Sequence, residues 1–138
     1  MEFFSLKASD DPLQGLRVLV VEDETLVAML IEEYLEDLGC AVALSARRIE
    51  KALEGIENLT IDAAVLDVNV AGASVSPVAE SLERKNIPFI FASGYGAKGV
   101  EAQWTGRPAI QKPFSAKDLR SALLSCLRSR PGRPAGFH

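Results

Sequence analysis

Short apolar segments alternate with segments of helical periodicity along this chain, and that alternation limits its possible folds more than any other feature. Apolar segments of about four to eight residues are typical of strands buried on both faces. Strands that alternate with helices form a parallel sheet with helices packed on its faces. The five apolar segments are Arg17–Val21, Cys40–Ser45, Ile61–Leu66, Pro88–Ala92 and Pro108–Gln111.

The intervening segments carry apolar residues every three or four positions, as amphipathic helices do. The first helix ends at Gly39, the second covers residues 47–58, the third ends near residue 86, and the last covers residues 116–130. Ser115 and Asp118 form a capping box at the start of the last helix. Three glycines between residues 94 and 99 make any helix before the fifth strand short or late. We therefore predict an α/β, flavodoxin-like (βα)5 three-layer sandwich with parallel strand order 2-1-3-4-5.

The length of 138 residues fits one domain. We expect a flexible leader at residues 1–15, the domain at residues 16–130, a disordered tail at residues 131–138, and no output domain. The net charge of −4 argues against a nucleic-acid-binding domain. The N-terminus lacks a signal-peptide pattern, and no apolar run approaches the roughly 20 residues of a membrane helix, so we expect a cytoplasmic protein. Cys40 and Cys126 form no metal-binding motif, and we expect both to be buried, reduced thiols.

Polar side chains follow four of the predicted strands, at the point where each strand ends. Glu22 and Asp23 follow the first strand, Asp67 the third, Ser93 the fourth and Lys112 the fifth. Because the carboxyl ends of parallel strands meet at one edge of a sheet, we expect these side chains to lie close together.

Three carboxylates at one edge repel one another unless a cation lies among them, and hard oxygen ligands favour Mg²⁺. Lys112 would add a fixed positive charge and Ser93 a hydroxyl for the oxygens of a phosphoryl group. The set predicts that the Asp67 carboxylate attacks an activated phosphorus and forms an aspartyl phosphate. Taken singly, each residue has a simpler interpretation, such as a helix N-cap for Asp67 or a solvated charge for Lys112. Their convergence favours the functional interpretation.

Four motifs, in this order, resemble the signature of the receiver domains of two-component response regulators. They are VVEDE at residues 20–24, VLDVNV at 65–70, FASGYG at 91–96 and QKPF at 111–114. The resemblance implies that a sensor histidine kinase transfers a phosphoryl group from a phosphohistidine to Asp67. The chain would then signal by protein contact or act as a phosphate sink, rather than work as an enzyme on external substrates. A homodimer stays possible.

The resemblance also implies a ligand set for the metal. Mg²⁺ would be held by Asp23, Asp67 and the backbone carbonyl of Asn69, with Glu22 assisting through water.

The remaining site residues follow the family pattern only in part. Ser93 and Lys112 would contact the phosphoryl oxygens, and the Lys112–Pro113 peptide bond would be cis. Receivers usually carry an aromatic switch residue on the fifth strand, where this chain has Ala109. FASGYG resembles instead the FATGUY subgroup, in which an aromatic residue after the fourth strand takes that part, here Tyr95. That subgroup tends to pair with kinases of the HWE or HisKA2 families.

Two other functions stay open. A Mg²⁺-dependent phosphohydrolase that forms an aspartyl phosphate would need a second acid near Asp67 to protonate the leaving group, but position 69 is asparagine. A pseudo-receiver that only binds partners would not need Asp67, Ser93 and Lys112 together. Trp104 is expected to serve packing rather than recognition.

Overall fold

The computed structural model describes residues 11–94, 99–104 and 106–128. It contains five longer strands: β1 Arg17–Val21, β2 Ala41–Ala46, β3 Ala63–Asp67, β6 Phe89–Ser93 and β7 Ala109–Gln111. These strands form one parallel sheet in the order β2-β1-β3-β6-β7. When these five strands are numbered one to five along the chain, their order in the sheet is 2-1-3-4-5, which confirms the prediction.

Four α-helices cover the sheet within the described residues: α1 Thr25–Asp37, α2 Ile49–Asn58, α3 Ser76–Arg84 and α4 Ala116–Arg128. Helices α1 and α4 pack on one face of the sheet, and α2 and α3 on the other. The predicted three-layer α/β fold is therefore confirmed. Between β6 and β7, the described residues contain a 3₁₀ turn at Ala102–Trp104, in agreement with the prediction of a short or late helix.

The strands have a side-chain period of two, which divides the core between the two faces of the sheet. In β1, Val18 and Val20 belong to the core under α1 and α4, whereas Leu19 belongs to the core under α2 and α3. Trp104 packs in the second core and is 7% exposed, with its ring edge-on to Phe89 at 5.7 Å. The packing interpretation of Trp104 is confirmed.

Residues 11–15 differ from the flexible leader predicted for residues 1–15. Leu13 is fully buried in the core, and the Gly15 amide donates to the Gly39 carbonyl at 2.8 Å. Arg120 of α4 also pairs with Asp11 at 3.5 Å. One buried leucine anchors this segment, and a single apolar residue leaves no periodicity for sequence reasoning to detect. Residues 1–10 and 129–138 lie outside the described residues, so the rest of the leader and the tail stay predictions.

Several local predictions are also confirmed. The Ser115 amide donates to the Asp118 carboxylate at 3.0 Å, and the Asp118 amide donates to the Ser115 hydroxyl at 3.1 Å, which is the expected capping box. Cys40 and Cys126 are buried thiols. Burial, and secondly the charge of Asp11, raise the pKa of Cys40 to about 11. Within the described residues, no helix has the length and apolar character that crossing a membrane would require.

A two-stranded hairpin follows β3 directly, and the sequence did not predict it. Its strands are β4 Asn69–Val70 and β5 Ala73–Ser74, which pair antiparallel. Ala71 (φ 53°) and Gly72 (φ 84°) form the two-residue turn between them. Positive φ at both central residues is the pattern of the tightest hairpin turns. The hairpin holds the chain that leaves Asp67 close to the edge of the sheet.

Candidate functional site

Three carboxylates meet at the carboxyl edge of the sheet. Glu22 and Asp23 follow β1, and Asp67 ends the neighbouring strand β3. Because Val21 lies opposite Leu66 in the parallel pair, the next residues on the two strands come side by side. One carboxylate oxygen from each of the three acids lies within 4.8 Å of the others. The acidic cluster predicted from the sequence is therefore present.

The Lys112 ammonium lies against two of these acids. Its Nζ donates to Glu22 Oε1 at 2.8 Å and lies 3.5 Å from Asp67 Oδ1. The Glu22 side chain is 1% exposed, so its carboxylate depends on protein partners rather than on water. The other oxygen of Glu22 accepts the backbone amide of Glu24 at 3.1 Å. A buried carboxylate held in this way fixes the position of the lysine.

The electrostatics of the site make Asp67 an unusually basic carboxylate. Burial, and secondly the charge of Glu22, raise the pKa of Asp67 from 3.8 to about 6, although Lys112 and the Asn69 amide act in the opposite direction. Burial lowers the pKa of Lys112, but the hydrogen bond to Glu22 and the charges of Asp67 and Glu22 outweigh it and leave the pKa above its ordinary value. At neutral pH the site thus holds an ionised lysine beside a carboxylate whose charge is costly.

The other predicted residues lie at the same edge or outside the described part. Asp67 is opposite Ala92, which places Ser93, fully buried, one residue further along β6. The Ser93 carbonyl accepts the Lys112 amide at 2.8 Å, which ties the ends of β6 and β7 together. The Lys112–Pro113 peptide bond is cis, as predicted. Tyr95, the predicted switch residue, lies outside the described residues.

Asn69 and Ala109 complete the predicted set. Asn69 is exposed at the start of the hairpin, and its backbone amide donates to the Asp67 carboxylate. Ala109 is half-buried on β7 opposite Phe91. Position 109, where receivers usually carry an aromatic switch residue, has only a methyl group, so it offers no ring to reorient.

One contact at the site was not predicted from the sequence. The Ala71 amide, in the turn of the hairpin, donates to Asp23 Oδ2 at 3.0 Å. The signal that could have revealed the turn is a glycine at its second position, between residues able to pair as strands.

The cluster fits a small divalent cation by its chemistry. All three nearby donors are carboxylate oxygens, the ligands that Mg²⁺ takes from proteins. Burial is the larger cause of the raised pKa of Asp67, and the charge of Glu22 is the second, so ionised carboxylates at this edge repel one another. A cation among these oxygens would reduce that repulsion. The same arrangement, a basic carboxylate beside a fixed ammonium, suits nucleophilic attack by Asp67 on a phosphorus atom, with the lysine compensating the charge of its oxygens.

Solved structures with this architecture are similar to the chain over most of its length. The solution structure of SdrG from Sphingomonas melonis Fr1 is 39% identical, with a TM-score of 0.75, and the match covers 82% of this chain and 97% of that chain. The PhyR response regulator REC domain from Erythrobacter litoralis is 26% identical, with a TM-score of 0.73, over 89% and 98% of the two chains. The response regulator PhyR from Brucella abortus is 28% identical, with a TM-score of 0.70, over 93% of this chain and 56% of that chain.

A comparison with curated protein sequences gives no significant match. The family model of the response regulator receiver domain matches residues 18–124, which include the strand ends that carry the acidic cluster and Lys112. The chain therefore belongs to the response regulator receiver domain family.

Proposed function

We propose that Asp67 accepts a phosphoryl group from a phosphohistidine of a sensor kinase, and that the phosphorylated chain signals by protein contact or acts as a phosphate sink. In this step the phosphorus–nitrogen bond to histidine breaks, a phosphorus–oxygen bond to Asp67 forms, and the released histidine takes up a proton. The observation that carries the proposal is the position of Lys112, whose Nζ lies 3.5 Å from the Asp67 oxygen and is fixed by the buried Glu22.

Each residue of the site has a part in this transfer. Asp67 is the nucleophile, Lys112 compensates charge on the phosphoryl oxygens, and the Ser93 hydroxyl donates to one of them. Asp23, Asp67 and the carbonyl of Asn69 would hold Mg²⁺, with Glu22 acting through water. Bound Mg²⁺ would supply further positive charge to the same oxygens. The support for this assignment is that one carboxylate oxygen from each of Glu22, Asp23 and Asp67 lies within 4.8 Å of the others.

An apolar face of α1 suits a docked kinase helix. Leu26 is 80% exposed, Met29 53% and Leu30 40%, and the three lie at helical spacing on one side. The helix begins two residues after Asp23, so a partner on this face would lie near the acidic edge. Glu33 and Glu36 border the face, which favours a partner with basic residues around an apolar stripe. A kinase of the HWE or HisKA2 families, working in the cytoplasm, is the partner we propose.

Tyr95 is proposed as the switch residue, in the manner of the FATGUY subgroup. The proposal is supported by residue 109, the usual position of the aromatic switch residue on the fifth strand, which is alanine in this chain and carries no ring. Tyr95 follows β6 by two residues, close in sequence to Ser93.

The phosphohydrolase alternative is less well supported. Within the described residues the acids that cluster with Asp67 are Glu22 and Asp23, and Glu22 is already engaged by Lys112. No second acid follows Asp67 at position 69 to protonate a leaving group. For SdrG, a BeF₃-activated conformation has been solved, which is consistent with a receiver site that responds to a phosphoryl mimic.

Incubation with acetyl phosphate and Mg²⁺, followed by intact-protein mass spectrometry, tests the proposal. We expect the chain to gain one phosphoryl group, Asp67→Ala to gain none, and Asp37→Ala, which removes an exposed carboxylate at the end of α1, to behave as the wild type. Equal labelling of Asp67→Ala would refute the assignment. Rapid multiple turnover of small phosphomonoesters would favour the phosphohydrolase instead.

A further inference from the structure

The β4–β5 hairpin contacts the acidic cluster at its turn and a different part of the chain at its base. At the turn, the Ala71 amide donates to Asp23 Oδ2 at 3.0 Å. At the base, Ser74 and Ser76 both donate to Glu101, which lies 25 or more residues further along the chain. The distances are 2.6 Å from Ser74 Oγ and 2.8 Å from Ser76 Oγ, one to each carboxylate oxygen. The hairpin thus stands between two regions that are far apart in sequence.

The contacts at the base form a closed network. Ser76 Oγ donates to Glu101 and accepts the Trp104 indole N–H at 3.1 Å and the Gln103 amide at 3.0 Å, which uses all of its hydrogen-bonding capacity. Ser74 Oγ also accepts the Ser76 amide at 3.1 Å. The hydroxyls that donate to Glu101 hold the pKa of this carboxyl below its ordinary value, so it stays ionised across the neutral range.

Both ends of the network are anchored in the core. Val70, directly before the turn of the hairpin, is 0% exposed, and Val75, directly after β5, is 3% exposed. Trp104 packs edge-on against Phe89 and lies 6.5 Å from Phe91, which is on the strand next to β3. Because the hairpin has only two residues in each strand and a two-residue turn, a displacement at its turn cannot be absorbed along its length.

We propose that this hairpin couples the acidic cluster to residues 101–104, so that phosphorylation at Asp67 changes the surroundings of Trp104. This inference rests on the proposed function, since phosphorylation supplies the perturbation. A phosphoryl group on Asp67 changes the field around Asp23, and the Ala71 amide follows the Asp23 carboxylate to which it donates. Ser74 moves with the hairpin, and Ser76, the first residue of α3, is linked to it through the bond from its amide to Ser74 Oγ. Both hydroxyls then alter their bonds to Glu101. The exposed side chains of Glu101 and Gln103 then form a surface whose arrangement depends on phosphorylation.

Trp104 is the single tryptophan of the chain, so its fluorescence reports this coupling. Mg²⁺ and then beryllofluoride, a phosphoryl mimic, are added to the wild type and to Ser74→Ala and Glu101→Gln. Neither replaced side chain hydrogen-bonds to the indole. We expect the ligand-induced change in Trp104 emission to fall to less than half of the wild-type change in both variants. Glu80→Gln, on an exposed position of α3, is the matched control and should keep the full change.

Phosphorylation is measured separately by intact mass after acetyl phosphate treatment. A wild-type chain that is phosphorylated but shows no change in Trp104 emission would overturn the coupling and leave the proposed function intact. Full wild-type changes in Ser74→Ala and Glu101→Gln would overturn it as well. A chain that neither gains a phosphoryl group nor responds to Mg²⁺ would refute the proposed function, and the coupling with it.

Discussion

Replacing Asp67 by asparagine is expected to stabilise the folded chain when Mg²⁺ is absent. The Asp67 carboxylate is 12% exposed and shares the edge of the sheet with Glu22 and Asp23. Burial and the charge of Glu22 make its ionisation unfavourable, which is why its pKa rises to about 6. Asparagine has nearly the same shape and carries no charge, so Asp67→Asn removes the repulsion without leaving a cavity.

The size of the gain follows from the pKa of Asp67. A rise from 3.8 to about 6 corresponds to a ceiling of about 3 kcal/mol, since one pKa unit is about 1.4 kcal/mol. Solvent screening at the open edge of the sheet reduces this, and we expect a gain of about 1–2 kcal/mol in the free energy of unfolding. For a domain of this size the melting temperature would rise by about 3–10 °C.

The gain in the free energy of unfolding from Asp67→Asn should increase as the pH rises. The folded-state pKa of Asp67 is higher than the unfolded value, so ionisation costs the folded state stability. Below pH 3.8 the carboxyl is protonated in both states and the cost is absent; it grows between pH 3.8 and about 6 and is complete above that. The difference in stability between Asp67→Asn and the wild type should therefore be largest at pH 7 and shrink as the pH falls from 6 towards 4.

Urea unfolding followed by circular dichroism, in EDTA at several pH values, measures this difference. Asp37→Asn, which neutralises an exposed carboxylate, should change the free energy of unfolding by less than about 0.5 kcal/mol. Added Mg²⁺ should stabilise the wild type more than Asp67→Asn, because binding to the folded state adds stability by mass action. A wild type as stable as Asp67→Asn in EDTA at pH 7 would refute the electrostatic account of the cluster.

Three further predictions concern the site, the apolar face and the hairpin. Lys112→Gln should slow labelling by acetyl phosphate about 100-fold, because one charge that compensates the phosphoryl oxygens is lost. Lys117→Gln, on an exposed position of α4, is the control, and equal labelling rates for both variants would contradict the role of Lys112. Leu26→Glu should slow phosphotransfer from the cognate kinase by about tenfold, and by more than it slows labelling by acetyl phosphate, because only the kinase docks on α1. An equal effect on phosphotransfer and on labelling by acetyl phosphate would argue against docking on α1. Ala71→Asn should raise the free energy of unfolding by about 0.5 kcal/mol in a urea titration, because asparagine tolerates the left-handed backbone (φ 53°) better than alanine. A lower free energy of unfolding for Ala71→Asn would contradict this explanation of the turn.

The sheet and the acidic edge could be predicted because they depend on local patterns. Segments such as Arg17–Val21 end where polar residues begin, and the parallel topology then places Glu22, Asp23 and Asp67 at one edge without further information. The Ser115–Asp118 capping box was likewise visible because both partners lie within one helical turn.

The features that the sequence did not reveal depend on contacts between distant residues. The bonds from Ser74 and Ser76 to Glu101 join polar residues that each look like ordinary surface positions. The β4–β5 hairpin has strands of two residues, too short to show a period. The burial of Leu13 depends on how the segment before β1 crosses the core, which a lone leucine does not indicate.

Chemical identification of the phosphorylated residue tests the central claim most directly. Borohydride reduces an acyl phosphate to the corresponding alcohol, so the chain is labelled with acetyl phosphate and Mg²⁺, reduced, digested and sequenced by mass spectrometry. We predict reduction at position 67 alone, at a level that matches the phosphoryl content of the intact protein. Reduction at Glu22 or Asp23, or a phosphoryl group that survives borohydride, would contradict the account.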